Sequence, residues 1–269
     1  MRDFEKINLE AAFPPNLLLF GLILPPVFLG MGTAFIEGIT PTIPFLQNYL
    51  SQFLFYGLIL LSIFGIVPKL FKLGWRTICG AIGMLQLSTV AFMHWVPLLS
   101  LVFFSRVPHG IGLPFLLLNI GVTWWWCRRF VRFYRFIYQT PELWQCLYEE
   151  EDDAVYYMQK GDVALFEKKI KLAQLPPNWA FVLIGAMIIP ITILLPVLTR
   201  WTGLPFTHIF LSICLPLSLM IAGVTTRGYL IYFYYPWLIK RKTGKNVYID
   251  MGSRPMHLDK LKGRKFTVT

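Results

Sequence analysis

The residues able to do acid–base, nucleophilic or metal chemistry are few. Among 269 residues there are four cysteines, four histidines and 14 carboxylates. Cys79, Cys127, Cys146 and Cys214 lack the C-x-x-C spacing of zinc and redox sites, and read as reduced, packed thiols. His94, His109, His208 and His257 are just as scattered. No H-E-x-x-H, Walker A loop, glycine fingerprint or nucleophile elbow occurs. The chain is therefore read as non-catalytic, with no cofactor and no metal.

The densest acidic run is Glu149–Glu150–Glu151–Asp152–Asp153. The paired glutamates of an intramembrane protease belong in a span with an arginine in the following turn. Here the run lies in a polar stretch and no arginine follows. It also lacks the alternating Asp/Asn pattern and glycine of a calcium loop. It reads as a solvated helix face, with a salt-bridging contact to Arg-rich segments or to a partner as the functional alternative.

Polar residues inside apolar runs are costly, and hence more informative. Gln86, Asn119 and Arg227 are the candidates, with His94 and His208 near the ends of their runs. Arg227 stands out because no carboxylate lies within any apolar run to pair with it. Snorkelling to the headgroups, or bonding to carbonyls freed near Pro216, is its simplest role. A substrate or anion site is the sharper one. No chain of carboxylates or histidines crosses the apolar runs, which argues against a proton-coupled pump.

Composition says what must position these residues. The chain is 56% hydrophobic and 14% charged, against about 25% charged for a soluble domain. Disorder, a disulfide scaffold and a collagen-like fibre are excluded. The pattern is that of an all-α, polytopic integral membrane protein. A span needs about 20 apolar residues, and six runs qualify: 16–36, 44–67, 78–104, 110–127, 178–199, and one from 206 past Arg227. For the third and fourth, one helix plus a re-entrant piece is the alternative. The first run is too far along and too long for a cleaved signal peptide. Residues 1–13 before it read as an interfacial amphipathic piece.

Orientation follows from Lys and Arg. Six spans put both termini on one side, and all of the 25 basic residues except Arg106, Arg200 and Arg227 fall there. The net charge of +11 is thus a topology signal, and both termini are expected in the cytoplasm of a plasma (inner) membrane. Transmembrane helices one to four occupy 14–127 and helices five and six 178–237. The loops on the far side are short. On the basic side lie a loop at 128–177 and a tail at 238–269.

The loop opens with Arg128, Arg129, Arg132 and Arg135 at helical spacing, an anchor for anionic inner-leaflet headgroups or a docking face for an acidic partner. Thr140–Pro141 restarts a helix whose stripe is Leu143, Leu147, Val155 and Met158. Gly161 ends it, and Asp162 caps a second helix carrying Val163, Phe166, Ile170 and Ala173. A small cytosolic helical hairpin is expected, followed by a basic, partly ordered tail. Positive-inside bias already explains the tail, so nucleic acid is not a favoured partner. Pro14–Pro15–Asn16 and Pro176–Pro177–Asn178 open two similar hairpins, 14–51 and 176–212. A parallel duplication and a shared need for helix starts are both open readings.

The function expected is that of a non-catalytic subunit of a larger membrane assembly, of secretion, export, conjugation or envelope-defence type. Its partners would be other membrane and cytosolic subunits, or further copies of itself. Arg128, Arg129, Arg132, Arg135, Glu149, Glu150 and Glu151 are the candidate docking residues. The alternative is a channel or small-molecule transporter with Arg227 near its route. A third is an enzyme acting on lipid or a lipid-linked substrate.

Overall fold

The computed structural model describes residues 3–73, 76–165 and 176–250. Helix α1 (Asp3–Ile39) and α2 (Tyr49–Leu70) form a hairpin. Its turn is fixed by Asn48, whose Oδ1 accepts from the Ser51 N–H at 3.3 Å, an N-cap bond. The Asn48 amide donates back to Thr40 Oγ1 at 3.0 Å and Glu37 Oε1 at 3.2 Å. Pro14–Pro15 lies inside α1 rather than at its start, because the helix already runs from Asp3.

Helix α3 (Thr77–Ser88) passes through a 3-10 turn into α4 (Phe92–Phe103), making one span. Helix α5 (His109–Gln139) is unbroken for 31 residues, so the third and fourth runs are separate long helices. Beyond it come α6 (Pro141–Leu147), β1 (Tyr148–Glu150), β2 (Ala154–Met158) and α7 (Gln159–Ala164). Helix α8 (Asn178–Thr202) ends at Gly203, whose φ of 71° gives the left-handed cap only glycine adopts readily.

The interrupted span is the last. Helices α9 (Phe206–Ile213) and α10 (Leu215–Tyr229) meet at a bend of 59°. Pro216 has no N–H, so the carbonyl four residues before it loses its helical donor and the axis turns there. A π-helical turn, Leu230–Tyr234, leads into α11 (Tyr235–Thr243), and β3 (Asn246–Asp250) follows. Among the described residues, five helices are long and apolar enough to cross a membrane, or six with the bent pair as one span. Leu117, Val182 and Ile193 are among many large apolar side chains left exposed, as a lipid-facing surface requires. The protein is a mainly helical, multi-pass membrane protein.

The expected helical hairpin of the loop is corrected. Residues 148–158 form two antiparallel strands turning at the acidic run, with Tyr148 opposite Tyr157 and Glu150 opposite Val155. Strand β3 from the tail joins β2 in parallel, in the order β1-β2-β3. All five residues of Ala154–Met158 are buried. A strand covered on both faces reads as a continuous apolar run, and Val155, Tyr156 and Tyr157 suit the pleat. Gly161 and Asp162 lie within α7 rather than dividing two helices. A Cβ on Gly161 would strike the Cys146 carbonyl, so glycine there lets α7 close on α6. Phe166, Ile170 and Ala173 lie outside the described residues, as does the tail past Asp250.

The main core sits where α5 leaves the bundle and carries the sheet. Phe130, Phe133, Tyr134 and Tyr157 are among the largest fully buried side chains, and they cluster with Leu230, Ile231, Val247 and Ile249. A smaller core joins α1, α2 and α4 through Leu29, Ile36, Leu54 and Val96.

Candidate functional site

The charged centre of the molecule is a buried cluster where α5, α7, β2 and α10 meet. Arg227 Nη2 donates to Asp162 Oδ2 at 2.9 Å, with the carboxylate wholly buried. Arg227 Nε donates to the Tyr134 hydroxyl at 2.9 Å. That hydroxyl lies 2.9 and 3.0 Å from Asp162 Oδ1 and Oδ2 and shares its single proton between them. Tyr157 donates to Oδ2 at 2.6 Å. Arg227 thus finds its counter-charge in the loop rather than in another apolar run. Asp162, read from sequence as a cap, is its partner. The signal available was Asp162 itself, a carboxylate beside a glycine in an apolar setting.

Three donors converge on Asp162, from Tyr134, Tyr157 and Arg227, an arrangement that holds α5, α7, β2 and α10 together. Burial, with the Asp162 charge beside it, pushes the Tyr157 hydroxyl well above its ordinary value of 10.0. Burial does the same to Tyr148. The sign is fixed: folding favours the neutral phenols, so their contribution is complete below pH 10 and is lost as pH rises towards the folded values. Alkaline titration followed by tyrosinate absorbance at 295 nm should show these rings ionising only with unfolding, above about pH 10. Ionisation at an ordinary value in a folded chain would contradict the cluster.

A cavity of about 140 Å³ adjoins Arg227, lined also by Met84, Gln159, Val224 and Tyr232. The other intramembrane candidates join helices. Gln86, fully buried on α3, lies against Gly21 of α1, where a Cβ would come within 2.6 Å of its amide nitrogen. Asn119 on α5 lies 3.2 Å from His94 Nε2 and donates to the Phe115 carbonyl at 2.9 Å. His94 Nδ1 sits 2.7 Å from the Leu211 carbonyl, which can only accept, so this nitrogen carries the proton. The contact falls just before the bend at Cys214. Gln86, Asn119 and Arg227 occupy three separate places and are not brought into one site.

On α5, Arg128, Arg132 and Arg135 are exposed along one face, opposite buried Phe130, Phe133 and Ile137. Arg129 faces elsewhere, its guanidinium 4.6 Å above Trp126 and 5.6 Å from Trp125. The acidic run is a strand end and turn. Glu149 lies on β1, Glu150 is exposed, and Lys245 Nζ donates to Glu150 Oε1 and the Glu151 carbonyl, each at 2.7 Å. This solvent-facing pair ties the start of β3 to the hairpin. Comparison with protein-family models, curated proteins and solved structures gives no match.

Proposed function

We propose that the protein is a non-catalytic integral subunit of a larger plasma (inner) membrane assembly, with both termini in the cytoplasm. The observation that carries this reading is α8. Only 6% of its most apolar window is buried within the chain, against 44% for the span Thr77–Phe103. Helices associate in lipid through close packing at small residues. Gly185 of α8 has no neighbouring atom within 4 Å of where a Cβ would stand, and Ala186 beside it is exposed. Pro190 and Pro196 deprive the Ala186 and Thr192 carbonyls of their helical donors, a cost that a neighbouring helix relieves. Val182, Gly185, Ile189 and Ile193 share this open face.

The sheet adds a second docking element outside the bundle, with an acidic turn and the exposed arginines of α5 near a single core. Engagement of Arg227 by Asp162 and Tyr134 supports a structural role for it, rather than a place on a solute route. Photo-cross-linking side chains placed at Val182 and Ile189 should give discrete protein adducts in native membranes. The same probe at Leu117, equally exposed on α5, should give none. Equal labelling at all three positions, or lipid adducts alone, would defeat the reading. A ladder in multiples of the chain's own mass would make the partner a second copy.

A further inference from the structure

The face of α8 opposite Gly185 borders a groove of about 500 Å³ between α5, α8 and the α9–α10 bend. Its walls include Val122, Leu183, Ile191, Phe210 and Leu219, and apart from one arginine they are almost wholly apolar. Along α8 it runs from Pro177 to Ile191, about 21 Å of helix, more than one leaflet of a ~30 Å hydrocarbon core.

The arginine is Arg129, and it stands at the end of the groove near the first turn of α8. Trp125 and Trp179 flank that end, exposed by 59% and 69%, which sets it at headgroup depth, where tryptophan prefers to lie. The guanidinium lies 4.6 Å over the Trp126 ring, a cation–π contact that holds it at this end. Among the described residues no carboxylate pairs with Arg129, so none of them competes with an incoming anion for its N–H edges. A soluble anion would not need the apolar trough below, and a neutral lipid would not need the guanidinium. We infer that this groove binds one anionic phospholipid, with an acyl chain along α8 and the phosphate on Arg129.

The arrangement differs from the exposed row of Arg128, Arg132 and Arg135, which meets headgroups without a trough to hold a chain. The full chain, stripped of lipid in mild detergent, is offered equal amounts of phosphatidylglycerol and phosphatidylcholine with identical acyl chains. Bound lipid is then counted by native mass spectrometry. One phosphatidylglycerol per chain should be retained with at least tenfold preference. Arg129→Gln should abolish the preference and Arg129→Lys restore part of it, because lysine keeps the charge but not the fork. Arg132→Gln should leave it intact. Ala180→Trp, filling the trough, should displace both lipids. Should that variant fail to fold, quenching of tryptophan fluorescence by bromine-labelled phosphatidylglycerol, weakened in Arg129→Gln but not in Arg132→Gln, reports the same occupancy. Equal retention of the two lipids, or equal loss in Arg129→Gln and Arg132→Gln, would overturn the assignment.

Discussion

Arg227→Met lowers the stability of the folded protein by about 3–5 kcal/mol, the cost of leaving one buried charge without its partner. For a chain of this size that is roughly a 10 °C fall in unfolding midpoint, readable by fluorescence-detected unfolding in detergent. Asp162→Leu should cost a similar amount. The double variant is the discriminating case. A buried ion pair adds little over well-packed apolar residues, so removing both charges should recover much of the loss. Recovery stays incomplete because the Tyr134 and Tyr157 hydroxyls lose their acceptor, at about 1–3 kcal/mol for each unsatisfied group. Changing both tyrosines to phenylalanine in that background should return more. Arg227→Lys should fall between, since an ammonium cannot span Tyr134 and Asp162 with the fork's two nitrogens. An unchanged midpoint in Arg227→Met would remove the cluster from any structural role and restore interest in Arg227 as a solute site.

Ending the chain after Gly244 should free the hairpin. Strand β3 covers one edge of β2 and buries Val247 and Ile249 to 4% and 2% exposure. Burial of two such side chains contributes about 3–6 kcal/mol. The truncated protein should keep its inserted helices yet become sensitive to protease at the acidic turn, residues 151–153. Val247→Asp should do likewise in the full-length chain, which separates loss of the strand from loss of the basic tail beyond it. A tail serving only as a tether for partners would leave the cleavage pattern unchanged.

The spans were legible because a run such as Asn178–Thr202 has one physical solution in lipid. Arg227 was legible as the residue that needed explaining. Its partner was not, because Asp162 lies 65 positions earlier and sequence spacing carries no signal over that distance. The strands were misread for a local reason. Leu143, Leu147, Val155 and Met158 fit a helical stripe loosely, while Val155, Tyr156 and Tyr157 form the β-branched and aromatic run that the sheet uses. The acidic residues that seemed to continue a helix supply its turn. The sharp break in the final span could be placed near Pro216 from sequence, but the groove beside it depends on how far α8 stands from α5, which no residue pattern reports.

Thr77 at the start of α3 donates to the carbonyl of Val247, 170 positions later, at 3.3 Å, and Arg76 bridges to Tyr248 beside it. The sheet is therefore closed by a strand made after every described helix of the bundle. During synthesis, β2 waits with an open edge while α8 to α11 are threaded into the membrane, and loop closure of this length comes late in folding. The hairpin of a nascent chain is thus vulnerable from the time Met158 is made until Asp250 follows. Docking of β3 then covers that edge, so a bare β2 edge marks a chain whose tail strand has not yet been made or has not yet docked.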